Sequence, residues 1–177
     1  KTDSNGDTLW TKTYGGSEND KAYSVKQTTD NGYIITGHTG DDVWLIKTDS
    51  QGDSLWTKTF GGSGLDWGRS VQQTTDGGYI ITGVTGSFGN GSGDVYLIKT
   101  DGNGIEQWNK TFGGTGQDIG NSVQQTTDGG YIITGRTFSF GSGAVYLIKT
   151  DGNGIEQWSQ TFGGVFDDYS HSVQQTT

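Results

Sequence analysis

The sequence predicts an all-β protein built from one repeated unit, and three observations support this. First, a tryptophan recurs within a W-x-x-T-[FY]-G-G motif at intervals of 46, 52 and 50 residues, at Trp10, Trp56, Trp108 and Trp158. Second, the segment SVQQTTDGGYIITG at 70–83 recurs identically at 122–135. Third, the 33 glycines fall at fixed places in the unit, as turns would require. Such a period is typical of repeat proteins whose units bury apolar surface against their neighbours.

Each unit contains four short segments of strand composition, separated by turn signals. The first, SVQQT, ends at Asp-Asn-Gly or Asp-Gly-Gly, which supply the positive φ angles of a tight hairpin. The second is the β-branched and aromatic run YIITG. The third, VWLIKT or VYLIKT, ends in a turn such as Asp101–Gly104, and the fourth, WTKTF or WNKTF, ends at Gly-Gly. Four antiparallel strands in about 50 residues form the blade of a β-propeller.

The predicted architecture is therefore an incomplete portion of one β-propeller domain, and we expect the chain to be a piece of a longer protein. The predicted parts are an outer strand of a preceding blade at 1–16, complete blades at 24–60, 70–112 and 122–162, and an inner strand of a following blade at 172–177. A helical solenoid is excluded because no segment has helical apolar spacing, and a β-helix needs a coil of roughly 18–25 residues. A sandwich would not explain near-identical units.

The last complete unit gives the most detailed prediction. Its strands are expected at 122–126, 131–137, 145–150 and 156–162, with the innermost strand first. Trp158 is expected to be buried against an adjacent blade, because the tryptophan of every unit lies at the same place within a strand.

The repeat, which reads SVQQTTDGGYIITG, then DVYLIKTD, then W-x-KTFGG, resembles the tandem-repeat, WD40-like β-propellers of secreted bacterial and archaeal surface proteins, over the whole chain. It is more distantly similar to the tryptophan-docking repeat of quinoprotein-like propellers, D-x-x-x-G-x-x-x-W. Asp101 to Trp108 follows that frame with Gly104 displaced by one residue. The resemblance implies a β-propeller fold and a secreted or cell-surface location. An acidic, Cys-free chain rich in Thr, Gly and Asn also fits that location.

Composition argues against several classes of function. The net charge of −9, with eleven Lys and Arg against twenty Asp and Glu, argues against a nucleic-acid partner. No apolar run approaches the ~20 residues needed to cross a bilayer, so no membrane insertion is expected. The two histidines stand at unrelated repeat positions, and the chain has no cysteine, no H-E-x-x-H motif and no phosphate-binding loop. We therefore predict no enzyme and no cofactor.

Variation between the units points to a binding face. The loop between the second and third strands has three residues at 40–42, nine at 86–94 and seven at 138–144, and it accounts for all the differences in repeat length. In repeat proteins such a loop often identifies the binding face. The substituted positions expected on this face are Tyr23, Arg69, Asn121 and His171, then Lys21, Trp67, Ile119 and Tyr169, and His38, Val84 and Arg136. From these we select as binding candidates Tyr23, Arg69, Asn121, His171, Trp67, Tyr169, His38 and Arg136. Drift after a recent duplication would produce the same variation.

An aspartate recurs four residues before the serine of each first strand, at Asp20, Asp66, Asp118 and Asp168. These carboxylates could form an acidic ring that holds a hydrated cation, or each could accept backbone N–H groups within its own loop. We favour the second interpretation, because Asp commonly organises turns in this way. The D-x-N-x-D run at residues 3–7 is likewise interpreted as a hairpin turn, since it lacks the terminal Glu of a calcium loop.

The function predicted from these features is a non-enzymatic scaffold, extracellular or at the cell surface, which binds protein or carbohydrate through the variable-loop face. The remaining blades of a longer polypeptide, or another copy of the chain, are the other expected partners. The alternative is an inert portion of a quinoprotein-like or glycan-active propeller enzyme.

Overall fold

The computed structural model describes residues 1–176, which contain twelve β-strands and no helix long and apolar enough to cross a membrane. The strands are β1 (Asp20–Gln27), β2 (Tyr33–Thr39), β3 (Asp42–Thr48), β4 (Ser54–Phe60), β5 (Asp66–Gln73), β6 (Tyr79–Thr85), β7 (Asp94–Thr100), β8 (Glu106–Phe112), β9 (Asp118–Gln125), β10 (Tyr131–Thr137), β11 (Ala144–Thr150) and β12 (Glu156–Phe162).

The strands form three separate four-stranded antiparallel sheets, each made of four strands in chain order: β1 to β4, β5 to β8, and β9 to β12. This confirms the predicted all-β class and the repeated four-stranded unit. The strands expected at 131–137 and 156–162 are β10 and β12. The first strand begins four residues earlier than predicted, at Asp118 rather than 122, because Asp118 to Gly120 continue to pair with β10 as far as Thr137.

That extra pairing is possible because every first strand contains a β-bulge. In β1, Ala22 pairs with Gly37 and Ser24 with Thr36, so Tyr23 is left without a partner. The same shift in β5 and β9 leaves Arg69 and Asn121 unpaired. A bulge of this kind inserts one residue into a strand and re-aims its side chain.

The apolar core lies between neighbouring sheets. One cluster joins Ile34, Val43, Leu45 and Phe60 of the first sheet to Val71, Tyr79, Ile81, Tyr96 and Ile98 of the second. An equivalent cluster joins the second sheet to Val123, Tyr131, Ile133, Tyr146 and Ile148 of the third. The contacts between adjacent sheets concentrate on the first strand of the later sheet. Each unit thus buries its apolar face against its neighbour.

The repeated tryptophan packs between units, as predicted. The rings of Trp56 and Tyr79 lie 5.9 Å apart in an edge-on arrangement, and Trp108 lies 5.8 Å from Tyr131 of the third sheet. The prediction that Trp158 is buried was wrong, because its side chain is 43% exposed. The tyrosine that would cover it belongs to the second strand of a following unit, and the described residues contain no such strand.

The two end segments do not join a sheet. Residues 1–16 form one isolated bridge, between Thr2 and Thr8, so the predicted outer strand is absent there. Residues 172–176 form no strand, and Thr177 lies outside the described residues. Nevertheless, the backbone of Val173 donates to Ser122 Oγ at 3.3 Å, as Val123 donates to the oxygen of Ser70. This segment therefore lies beside the third sheet as β9 lies beside the second.

A buried lysine supports the first hairpin of every unit. The side chain of Lys99 is 4% exposed, and its ammonium donates to Asp76 Oδ2 at 2.8 Å and to the Thr100 carbonyl at 2.9 Å. Burial opposes ionisation of Asp76, but hydrogen bonds from Lys99 and Thr74 outweigh it and lower the pKa of this carboxyl to about 2. Equivalent pairs are Lys47 with Asp30 and Lys149 with Asp128, whose carboxyl pKa values are also lowered.

These pairs make the stability of the fold sensitive to acid. A carboxyl whose pKa is lower in the folded chain than its unfolded value of about 4 stabilises the fold above that value and loses this contribution as the pH falls. We therefore expect Tm, followed by circular dichroism, to decrease as the pH falls from about 4 to about 2. The Asp76→Asn variant should show a shallower decrease, since one of the titrating carboxyls is removed. An identical acid response in the two proteins would contradict this role.

Candidate functional site

The loops of variable length and the connections between sheets lie on the same face of the molecule. Ser87, in the loop after β6, shows this: its hydroxyl accepts a hydrogen bond from the backbone N–H of Gly64 at 2.9 Å and donates to Asp66. The adjacent N–H of Gly86 donates to the carbonyl of Leu65 at 2.7 Å. We call this surface the variable-loop face; it comprises the loops 40–41, 86–93 and 138–143 and the connections 61–65, 113–117 and 163–167.

The four repeated aspartates organise the connections on this face. Asp118 Oδ2 accepts the backbone N–H of Gly114 at 3.0 Å and the hydroxyl of Ser139, and Asp66 is bound in the same way by Gly62 and Ser87. Asp20 and Asp168 accept the equivalent N–H groups of Gly16 and Gly164. These hydrogen bonds are the turn-organising role that we favoured from the sequence. Among residues 1–176, no three His, Asp or Glu side chains converge as metal ligands.

The two serines in this arrangement were not identified from the sequence. Ser87 and Ser139 each precede Phe-Gly in the two longer loops, and each hydroxyl contacts both a glycine N–H and an aspartate in the adjacent connection. The shared S-F-G sequence is the signal that could have revealed them. Their hydrogen bonds tie each long loop to the connection beside it.

The bulges bring the substituted positions together. Tyr23, Arg69 and Asn121 are the unpaired bulge residues of the three first strands, and His171 holds the equivalent place in the last segment. The other two sets of substituted positions face each other across the first hairpin of each sheet, as Lys21 with His38, Trp67 with Val84 and Ile119 with Arg136. Every unit therefore presents three substituted side chains at one end of its first hairpin.

Four of the selected side chains form a continuous stack between the first two sheets. The rings of Tyr23 and His38 are stacked with centroids 6.0 Å apart, and the ring of His38 stacks on Trp67 at 5.1 Å. The guanidinium of Arg69 lies 5.7 Å from the centroid of Tyr23, within the range of a cation–π contact. His38 is buried, and its Nδ1 lies 3.0 Å from the carbonyl oxygen of Gly40.

A cavity of about 180 Å³ is lined by residues of β5, β9, β10 and the last segment, and five of them are among the selected residues. Its walls are Arg69, Ile119, Asn121, Arg136, Tyr169 and His171. Asn121 Nδ2 donates to the Ser170 carbonyl at 2.9 Å, which fixes the last segment beside the cavity. The guanidinium of Arg136 lies 4.7 Å from the ring centroid of Phe138. Neither Ile119 nor Phe138 was among the selected residues.

The cavity is electropositive in an acidic protein. Burial lowers the pKa of Arg69, and the nearby charge of Arg136 lowers it further. All four ion pairs of residues 1–176 involve lysine, so neither guanidinium has a carboxylate within 4.0 Å in this part of the chain. Arg136 has a neutral partner, Gln117, whose Oε1 accepts a hydrogen bond at 3.3 Å.

A second cavity, of about 500 Å³, lies between the first strands of successive sheets. Its lining consists largely of amides and hydroxyls, including Ser70, Gln72, Ser122, Gln124 and Gln174, together with the ammonium of Lys26. The repeated S-V-Q-Q sequence supplies these side chains from each unit in turn.

Comparison with known proteins identifies neither a family nor a function for the chain. No family model matches the chain, and no curated protein matches it. Among solved structures, it is similar to a protein of unknown function from Bacteroides caccae, with a TM-score of 0.48 and 11% sequence identity over 96% of this chain and 76% of that one. A similarity of this degree supports no conclusion about fold family or activity.

Proposed function

We propose that the chain is a portion of a β-propeller that acts as a non-enzymatic interaction scaffold, secreted or at the cell surface, and binds its partner through the variable-loop face. The three sheets approach one another at their first strands, as blades do around an axis. The acidic, cysteine-free composition and the resemblance of the repeat to secreted surface proteins support the location.

One observation carries the binding function: the unpaired bulge residue differs in every unit. Tyr23, Arg69 and Asn121 occupy the same structural position, while the Ser-Val pair that follows the bulge is the same in every sheet. Substitutions between units also occur in the outer strands and in the connections between sheets. Those near the bulge adjoin one stack and one cavity rich in Tyr, Trp and Arg, the residues that most often dominate binding energy at interfaces.

The chemistry of the site favours binding over catalysis. Its side chains are arginine, aromatic and amide groups, and the hydroxyls of Ser87 and Ser139 are bound to aspartates that hold loops. The cavity between the first strands is lined by amides and hydroxyls, the lining expected of a scaffold rather than of a cofactor site. No comparable observation favours the alternative, a portion of a propeller enzyme.

The outer faces of the first and last sheets are further contact surfaces in this proposal. Val25 is 58% exposed, whereas its equivalent Val71, between two sheets, is fully buried. Phe162 is 53% exposed and its equivalent Phe112 only 8%. Large apolar faces of this kind promote association. We propose that they pack against further blades, in the same polypeptide or in another copy, and sedimentation analysis of the chain tests this.

A binding screen with matched variants tests the face itself. The chain is screened against displayed random peptides and an array of microbial and plant glycans, and each ligand is measured again with two double variants. Arg69→Ala/Arg136→Ala alters the variable-loop face; Thr29→Ala/Thr75→Ala alters exposed side chains in turns at the opposite end of the sheets. We expect the first to weaken binding by about tenfold or more and the second to leave it unchanged. Ligands that respond only to the second would contradict the proposal.

A further inference from the structure

The two arginines of the candidate site lack the partner that a buried cation normally has. Charged side chains are rarely buried without a counter-charge, because removal from water is costly. Arg69 and Arg136 are both partly buried, and burial lowers the pKa of Arg69. Its neighbour in the cavity is a second guanidinium, that of Arg136, and no carboxylate of residues 1–176 lies within ion-pair distance of either.

Three buried nitrogen atoms in the stack that contains Arg69 also lack hydrogen-bond partners, and of these residues Arg69 lines the cavity. They are Arg69 Nε, Trp67 Nε1 and His38 Nε2. They belong to one continuous stack, since His38 lies between Tyr23 and Trp67, and Arg69 lies over Tyr23. Buried polar groups without partners are uncommon in folded proteins. The guanidinium of Arg69 can only donate hydrogen bonds, so a ligand that binds it in the cavity must present an acceptor.

Aromatic contacts hold both guanidinium groups in place before any ligand binds. Arg69 lies over the ring of Tyr23 and Arg136 over the ring of Phe138. Such contacts restrict the long side chains and orient their planar guanidinium groups, each of which can bind two oxygen atoms at once. The geometry suits a carboxylate, which accepts paired hydrogen bonds from arginine.

The size of the cavity and its surroundings indicate which molecule presents that carboxylate. At about 180 Å³, the cavity is smaller than the ~300–1,000 Å³ of small-molecule sites and accommodates a single side-chain group. Around it, the variable-loop face exposes Leu65, Phe88 and Phe138. Apolar side chains of a protein partner would bury these residues, as they do at the core of protein interfaces.

We infer that the variable-loop face binds a protein that inserts an aspartate or glutamate side chain between Arg69 and Arg136, with apolar residues of the partner covering the exposed phenylalanines. The inference rests on the proposed function and specifies its ligand. It assigns Arg69 and Arg136, which line the cavity, as the residues that bind the acid.

The test begins with random 12-residue peptides displayed on phage and selected on the full chain. We expect the selected peptides to be enriched in Asp or Glu next to an apolar residue. For two synthetic peptides from the selection, replacement of the acid by its amide should weaken binding, measured by calorimetry, about tenfold to a hundredfold. The Arg69→Gln variant should bind the acidic parent peptide more weakly by a similar factor. It should bind the amide peptide nearly as well as the unmodified chain does, because the interaction with the acid has already been lost. The Arg69→Lys variant keeps the positive charge but lacks the planar guanidinium that binds two oxygen atoms. Its affinity should therefore lie between those of the Arg69→Gln variant and the unmodified chain.

Folding and charge are controlled in the same experiment. Circular dichroism must show that Arg69→Gln folds as the parent does. Lys58→Gln, which removes an exposed positive charge from β4, outside the variable-loop face, should leave peptide binding unchanged. Peptides that bind the variable-loop face but lack an acid, or that ignore both arginines, would overturn this inference and leave the proposed function standing. If no ligand binds more weakly to variants of the variable-loop face than to the unmodified chain, the proposed function is overturned. Binding of trigalacturonate that depends on Arg69, with no acidic peptide selected, would instead identify an acidic glycan and refute a protein ligand.

Discussion

Replacing Gly83 with alanine is expected to destabilise the protein by about 3 kcal/mol or more, at the upper end of the range for overpacked sites. The bulge in β5 places the carbonyl oxygen of Trp67 directly over Gly83, on the adjacent strand. A Cβ atom there would lie far inside the 3.0 Å that real Cβ atoms keep from other heavy atoms. The clash is with backbone, so no side-chain rotation relieves it. Urea unfolding followed by tryptophan fluorescence measures the change.

Gly77→Ala is the matched control. Gly77 lies in the turn before β6 with φ +84°, and a Cβ there would meet nothing within 4 Å. Its replacement should cost only about 1 kcal/mol, the conformational penalty of a left-handed backbone. Similar losses for the two variants would show that the close approach at the bulge does not constrain the sheet.

Trp108→Ala is expected to destabilise the protein by about 2–3 kcal/mol, somewhat below the value for a fully buried tryptophan because the ring is only partly buried. The ring packs on Tyr131 of the third sheet, and its far edge lies 2.6 Å from the position that a Cβ of Gly154 would occupy. Truncation removes contacts between two units and leaves a gap. Thermal unfolding by calorimetry should show a lower Tm.

Trp158→Ala separates packing between units from the intrinsic contribution of a tryptophan. This residue holds the same repeat position but is 43% exposed, so its truncation should change the stability of a single chain by less than about 1 kcal/mol. Where copies associate through the outer face of the third sheet, the same change should weaken association in sedimentation experiments. Equal destabilisation by the two variants would contradict the assignment of Trp108 to a contact between units.

The repeat made the strands predictable, because β-branched runs and Asp-Gly turns are local signals. The bulges were not predicted: a bulge is a property of the pairing between two strands, and the sequence of one strand does not reveal it. The residue before the bulge is Ala22, Gly68 or Gly120, and with hindsight this small residue opposite a glycine is the signal.

The sequence predicted which residues belong to the candidate site better than it predicted how they are arranged in space. Variation between near-identical units identified Arg69 and Arg136 without any structural information. Their meeting in one cavity depends on contacts between sheets, which are separated by about 50 residues in the chain. Burial of Trp158 was wrongly predicted for the same reason, since burial depends on the neighbouring unit rather than on the position of the residue within its own.

The bulge has an evolutionary consequence. A residue that makes no ladder pair can be exchanged without shifting the register of the strands. Each duplication of a unit therefore adds one more freely mutable position to the same rim, while the copied remainder already folds. A protein organised in this way can acquire a new specificity by single substitutions in successive copies, with little cost in foldability at each step.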